Sequence, residues 1–279
     1  MIRLVAALLV LTGSVNAQDA APSQQDTSPS KPLIACLPEN PNFPYYRRVS
    51  DTEQDFPGLY LELIDRISQT SGVELQVRRA PWTRCMSELR VGEVNMVFSA
   101  SYLPEREALG CYPMLAPQQP DPSKRLIRHA YHLYIRQHDA ERIEVRDQQI
   151  IGLTTPIAIR AGQSIAAVLA EREIAFSEMR SNSIVFRQLS IARVDAAAMI
   201  RNIGDAIIQD MPELVRLDPP IATRDYYLIM DHAGCQPGGL AEQLWAAMVT
   251  LRDGPWFEQR LQEYREQASW LNQDRDHSE

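Results

Sequence analysis

The chain has 279 residues and an acidic balance, with a formal net charge of −8. Its length suits one large or two medium domains, and the acidic balance argues against nucleic acid as a partner, which favours a basic face. Four cysteines are present, none close in sequence to another, so CxxC redox and zinc-ribbon spacings are excluded.

The first 17 residues have the pattern of a secretory signal peptide. Arg3 supplies a positive charge, residues 4–11 are apolar but too short to span a bilayer, and Val15-Asn16-Ala17 fits a small-x-small cleavage site. The pattern predicts export to the periplasm, with an N-terminal membrane anchor as the alternative. Disulfides are permitted in an exported chain, and free buried thiols are the other interpretation of the cysteines.

Predicted helices and strands alternate along the chain after a polar, Ser/Pro/Gln-rich lead-in at 18–32, which we expect to be disordered. Strands are predicted at 32–36, 73–77, 95–100, 109–112, 131–136, 156–160, 194–199 and 226–230. Helices are predicted at 58–70, from 81 onward, and at 165–173, 181–193, 205–210, 240–252 and 255–270, before a charged tail. This alternation predicts an α/β fold with a parallel sheet, whose strand ends hold ligands.

Four chemistry-bearing residues lie just past predicted strand ends: Trp82, Ser99, Ser101 and Arg106. An aromatic ring, two hydroxyls and a guanidinium at such positions favour a pocket for a small molecule that carries an anionic group.

The order of short motifs resembles the periplasmic solute-binding proteins of the polar amino acid ABC-transporter type (bacterial extracellular solute-binding protein family 3). In the N-terminal part the motifs are Phe43-Pro44-Tyr45, Gly58-Leu59-Tyr60-Leu61-Glu62-Leu63, Trp82, Gly92-Glu93-Val94-Asn95 and Leu103-Pro104-Glu105-Arg106. Further along they are Gly162-Gln163-Ser164, Ala192-Arg193-Val194-Asp195-Ala196, and Leu251-Arg252-Asp253-Gly254 followed by Tyr264.

The resemblance implies a two-lobed, type II periplasmic-binding-protein-like fold, with a ligand cleft between lobes joined by two crossovers. It assigns 33–113 and 234–273 to lobe 1 and 118–230 to lobe 2, and leaves 274–279 as a tail. A pairing of Cys36 with Cys85 is expected, because the first strand end and the second helix start would both lie at the cleft rim.

The same resemblance implies a set of ligand-binding residues. Arg106 would bind a carboxylate with Ser101 beside it, Ser99 would offer its backbone, and aromatic rings would enclose the ligand's side chain. The full set is Tyr45, Trp82, Ser99, Ser101, Arg106, Arg160 and Ser164.

Each of these residues also has a structural interpretation. Arg106 could pair with Glu105 or Glu107 at the surface, and Trp82 could be ordinary core at a helix start. Either Tyr45 or its neighbour Tyr46 could face the cleft, and we select Tyr45. Arg160 could serve only an ion pair, and the serines could be turn or cap hydroxyls.

One departure from the family pattern concerns the ligand's ammonium group. Amino acid binders place an acidic residue a few positions after the Asp-Ala pair, where this chain has Met199 or Ile200. Unless Asp205 or Glu39 reaches in, a ligand ammonium would be unpaired. We therefore expect an anionic or aromatic metabolite rather than a standard α-amino acid.

The expected function is non-catalytic binding of a small, carboxylate-bearing solute in the periplasm, for delivery to an ABC-type permease. No cofactor and no metal is expected, and the protein is expected to be a monomer. Two alternatives remain: a ligand-sensing or accessory protein for a receptor, and a dehydratase-like enzyme on the same scaffold.

Overall fold

A computed structural model describes residues 31–47, 56–147 and 149–276 of the chain, with side chains to residue 267. The predicted signal peptide at 1–17 and the lead-in up to residue 30 lie outside the described residues. Within the described ranges, no helix combines the length and the apolar character that a membrane crossing requires.

Helices and strands alternate through much of the chain. The strands are β1 (Leu33–Pro38), β2 (Leu75–Ala80), β3 (Met96–Ser101), β4 (Met114–Ala116), β5 (Gln119–Pro120), β6 (Ile127–Arg136), β7 (Glu144–Arg146), β8 (Gln149–Ile151), β9 (Ile157–Arg160), β10 (Phe176–Met179), β11 (Ala196–Ile200), β12 (Leu214–Arg216) and β13 (Ala222–Met230). The helices are α1 (Leu59–Ser71), α2 (Trp82–Arg90), α3 (Ile165–Glu171), α4 (Asn182–Ser190), α5 (Arg201–Ile208), α6 (Ala241–Asp253) and α7 (Pro255–Asp276). Short 3₁₀ turns lie at Pro104–Ala108, Pro122–Lys124 and Gln137–Asp139.

One mixed sheet runs through the fold in the order β10-β9-β11-β6-β13-β3-β1-β2, with β12 beside β6. Both ends of the sheet are parallel, in the groups β2-β1-β3 and β10-β9-β11. The central strands β6 and β13 run antiparallel to each other and to their outer neighbours. The predicted α/β class is correct, whereas the predicted parallel sheet is wrong at its centre, because β13 pairs directly with β6 and β3.

Each half of this sheet has its own core on both faces. The first half comprises β1–β3 with α1, α2, α6 and α7, and the second half comprises β6 and β9–β12 with α3–α5. Neighbouring residues of a strand point to opposite faces, so Leu37 and Cys36 enter two different apolar clusters. Leu133 and Tyr134 do the same in the second half.

Strand β13 passes from the second half to the first. Its residues from Ala222 to Tyr226 pair with β6, and those from Tyr226 to Met230 pair with β3. The other connection is the segment between β3 and β6, where the Leu126 amide donates to the Tyr226 carbonyl at 2.7 Å. The arrangement fits the lobe boundaries expected from the sequence, which stay a prediction.

The loop before α1 is fixed against the start of that helix. The amide of Leu59 donates to the Pro44 carbonyl at 3.0 Å, and that of Tyr60 donates to the Tyr45 carbonyl at 2.8 Å. Gly58 has φ 124°, and a Cβ there would approach the Tyr46 Cα to 2.5 Å. Glycine is therefore required for this close contact.

Several predicted bounds differ from the structure. Residues 109–112 contribute only an isolated bridge between Cys111 and Met230, since the backbone leaves the sheet edge at once. Helix α7 continues six residues past its predicted end at 270, to Asp276, because no Gly or Pro interrupts it. The predicted tail therefore begins inside this helix.

The four cysteines form two disulfides, Cys36–Cys85 and Cys111–Cys235. The first pair was expected from the sequence and joins β1 to α2. The second joins the segment after β3 to the loop before α6, so both bridges lie in the first half. The described chain has no free cysteine.

Candidate functional site

A cavity lies where the first-half strand ends meet the second half, and residues of both halves line it. It is partly open to solvent, with about 70 Å³ of internal space. The cavity therefore suits a small metabolite better than a polymer. All but one of the residues expected to bind ligand line it: Trp82, Ser99, Ser101, Arg106, Arg160 and Ser164.

Arg106 is buried in the wall of this cavity, with 7% of its surface exposed. The 3₁₀ turn after β3 folds it back onto the strand end, where Nη1 donates to the Ser101 carbonyl at 2.7 Å and to its Oγ at 2.9 Å. Nη2 donates across the cavity edge to the carbonyl of Gly162 at 2.9 Å. The interpretation of Arg106 as a surface partner of Glu105 or Glu107 is wrong.

Trp82 forms part of the same wall. It is the first residue of α2, packs partly buried against the first-half core and also lines the cavity, whereas its contact with ligand stays a prediction. Its ring centre lies 5.4 Å from the guanidinium carbon of Arg106, a cation–π distance. A Cβ on Gly162 would lie 3.6 Å from the indole, which shows how closely the two halves meet there.

Hydroxyl groups line the wall beside Arg106. The phenols of Tyr131 and Tyr226 share a hydrogen bond of 2.7 Å. Burial raises the pKa of both phenols, so they stay protonated as hydrogen-bond donors. Ser101 and Ser164 are 2% and 1% exposed and line the same cavity.

Several buried polar atoms of the lining have no hydrogen-bond partner among the described residues. They are His129 Nε2, Gln163 Oε1 and Asn182 Oδ1. Buried polar atoms are normally hydrogen-bonded, because leaving one unpaired costs about 1–3 kcal/mol. This lining is therefore suited to a ligand that supplies hydrogen bonds.

His129 presents a neutral imidazole to this cavity. Its ring centre lies 4.8 Å from that of Tyr226 and 5.1 Å from that of Tyr45. Burial among these rings lowers the pKa of His129 to about 4. At neutral pH the imidazole thus offers one donor and one acceptor and no charge.

The cavity-facing tyrosine of the loop before α1 is Tyr46, not Tyr45. The Tyr45 ring packs on the Tyr60 ring with centres 4.8 Å apart, which makes it part of the first-half core. Tyr46 also contacts this core, but of the two rings it is the one that reaches the cavity.

No carboxylate lines the cavity within the described part of the chain. Ile200 contributes to the lining near the position where amino acid binders carry an acid. Asp205 is bound instead by Tyr134 and Arg216. Asp195 accepts hydrogen bonds from Thr154 in the second half and does not line the cavity.

Sequence reasoning missed His129, Asn182 and Tyr131 as lining residues. His129 and Tyr131 lie two apart on β6, so strand alternation was a signal that they share a face. Asn182 directly follows Ser181, the N-cap residue of α4. Asn and Ser are common at the start of any helix, so nothing in the local sequence marked Asn182 as a lining residue. Within the described residues, no His, Cys, Asp and Glu side chains are grouped to hold a metal ion.

Comparison by sequence finds no family model and no curated protein that matches this chain. Comparison by structure finds many matches. The P235GK mutant of ArgBP from T. maritima superposes with a TM-score of 0.62 at 14% identity, over 84% of this chain and 95% of that one. The GluR0 ligand-binding core from Nostoc punctiforme, in complex with L-glutamate, gives 0.62 at 15% identity, over 84% and 99%.

A third match is a histidine kinase sensor domain described as similar to periplasmic binding proteins. It superposes with a TM-score of 0.64 at 17% identity, over 86% of this chain and 96% of that one. At such identities the likeness concerns the fold. It confirms the two-lobed, periplasmic-binding-protein-like architecture and, at that level, the resemblance to solute-binding proteins found in the sequence.

Proposed function

We propose that this protein is a non-catalytic periplasmic binding protein that encloses a small, carboxylate-bearing solute between its two halves. One observation carries the proposal: Arg106 and Arg160 line one cavity to which no described residue contributes a carboxylate. Two guanidiniums that face a common space favour an anion, because an anion restores the charge balance that burial requires.

The same lining disfavours a standard α-amino acid. An ammonium group in the cavity would face Arg106, Arg160 and the apolar Ile200 rather than an acid. Burying that charge without a partner costs several kcal/mol. The proposed solute therefore has a carboxylate and lacks a free ammonium.

Direct binding measurements test the proposal. Thermal shift and calorimetry would screen small carboxylates against matched amino acids, and we expect a saturable response to carboxylates that lack an amine. Arg106→Ala should weaken that binding by at least about 30-fold, since losing a buried charged hydrogen-bonding partner costs roughly 2 kcal/mol or more.

The matched control for Arg106→Ala is Arg146→Ala on β7, which removes an exposed ion pair with Glu144. We expect it to bind like the wild type. Binding of ordinary amino acids alone, or unchanged affinity in Arg106→Ala, would contradict the proposal.

Delivery to an ABC-type permease is the role that we favour, with the protein acting as a monomer. Sensing is the second candidate, because a histidine kinase sensor domain shares the fold at a TM-score of 0.64. Co-purification with a permease would support transport, and ligand-dependent capture of a signalling receptor would support sensing.

Catalysis ranks behind both roles. A dehydratase on this scaffold needs a carboxylic acid in the cleft as general acid, and the described lining supplies none. Incubation of the protein with candidate acids, followed by a search for product, tests this ranking.

A further inference from the structure

Among the cations of the described residues near the cavity, Arg160 differs from the others in what it contacts. It ends β9, just before the segment that leads into α3, and it is partly buried in the cavity wall. Its guanidinium makes no hydrogen bond and no ion pair within the described ranges. The described groups that influence its charge, such as Glu39, act on it from a distance without contact. Such a guanidinium is suited to a partner that comes from outside the chain.

Glu39 is the carboxylate whose charge acts on Arg160, but it does not neutralise the guanidinium. Glu39 acts on Arg160 through its field, but its side chain is exposed and forms no ion pair with the guanidinium. Burial is the largest influence and lowers the pKa of Arg160. An arginine nevertheless keeps its charge in proteins, so the cavity wall retains a cation without a contacting anion.

The other guanidiniums near the cavity are already held by neutral oxygens. Arg106 donates to Ser101 and to Gly162. Arg79 lies behind the cavity, with its guanidinium carbon 5.1 Å from the centre of the Tyr46 ring, and donates to backbone carbonyls. These contacts orient both side chains and leave their positive charge uncompensated.

A monoanion on Arg106 would leave Arg160 partly buried without a counter-charge. We propose that the ligand is a short dicarboxylate, with one carboxylate bound by Arg106 and the second bound by Arg160. This inference rests on the proposed function and specifies its ligand. Because Arg106 and Arg160 line the same small cavity, the diacid has only a short carbon chain between its acidic groups.

Calorimetry with pairs of ligands that match in size and differ in charge tests this assignment. Succinate, glutarate and adipate would each be compared with the corresponding half-amide, in which one carboxylate becomes a neutral carboxamide. We expect the wild-type protein to bind at least one of these diacids ten-fold or more tightly than its half-amide.

Variants of Arg160 identify the residue responsible for that preference. Arg160→Gln should reduce the diacid preference to less than about three-fold while half-amide binding changes little, and Arg160→Lys should retain a preference because it keeps the charge. Arg146→Gln is the exposed control. Thermal unfolding of each variant without ligand shows that it is folded.

The outcomes separate the two proposals. Equal affinity for diacid and half-amide, lost in Arg106→Ala, would overturn the dicarboxylate assignment and leave carboxylate binding standing. A diacid preference that persists in Arg160→Gln would also overturn it. Failure of every carboxylate to bind would overturn both proposals.

Discussion

At the scale of single residues, His129 connects the cavity to the acid sensitivity of the fold. Burial lowers the pKa of His129 to about 4, whereas histidine in an unfolded chain titrates near 6.5. Between these two values the unfolded chain binds a proton that the folded chain does not, so the free energy of unfolding falls as the pH drops. Above about pH 6.5 this contribution is fully present.

We therefore predict that His129→Gln reduces the loss of stability between pH 6.5 and pH 4. The full effect is on the order of 3 kcal/mol, and urea unfolding at a series of pH values measures it. His138→Gln is the control, because that side chain is 75% exposed. Identical slopes for the wild type and His129→Gln would show that the imidazole titrates normally.

Much of the cavity was predictable because its residues follow strand ends. Trp82, Ser101 and Arg106 come directly after elements with clear hydrophobic periodicity, so their shared edge follows from the topology. The choice between Tyr45 and Tyr46 was not predictable, since both are aromatic and adjacent. It depends on how the loop packs between α1 and the second half, a tertiary detail that leaves no local pattern.

At the scale of elements, the start of α1 depends on Gly58. We predict that Gly58→Ala lowers the free energy of unfolding by about 1–3 kcal/mol, the cost of a strained backbone conformation, with added strain from the contact with Tyr46. Ligand affinity should fall as well, because the same loop carries Tyr46 to the cavity. Chemical denaturation and calorimetry measure the two effects.

Gly72 is a matched control at the other end of α1. It also has a positive φ, 70°, but a Cβ there meets no atom within 4 Å. Gly72→Ala should therefore cost less than Gly58→Ala and leave ligand affinity unchanged. Equal losses would show that the contact with Tyr46 contributes nothing.

Elements with strong periodicity were predicted well, and short edge strands were not. Helix α1 is correct to within a residue because its apolar residues recur on one face and Gly72 ends it. Strand β10, with the sequence FSEM, has no alternating apolar pattern and depends on pairing with β9. The antiparallel centre was missed because strand direction follows from chain path and not from local sequence.

At the scale of the whole molecule, a few hydrogen bonds join the two halves across the cavity. The side-chain amide of Asn202 on α5 donates to the Phe43 carbonyl at 2.9 Å and to the side-chain oxygen of Asn42. These bonds stabilise contact between the halves without belonging to either core. We therefore expect them to favour closure of the two halves over the cavity, by the hinge motion known for two-lobed binding proteins.

We predict that Asn202→Ala weakens ligand binding about 5- to 30-fold, as expected for the loss of two hydrogen bonds. Small-angle scattering should show a larger radius of gyration for this variant without ligand. Arg201→Ala on the same helix is the control, since its side chain is 60% exposed. Wild-type affinity and radius in Asn202→Ala would contradict a role in closure.

The path of the chain through the two halves has a consequence for biogenesis. The apolar clusters of the second half come only from residues between 127 and 226, whereas one of the two clusters of the first half needs both early residues and α6 and α7. During synthesis the second half is thus complete while the first still lacks its covering helices. Cys111 must wait for Cys235, 124 residues later, so covalent closure of the first half comes among the last events of maturation.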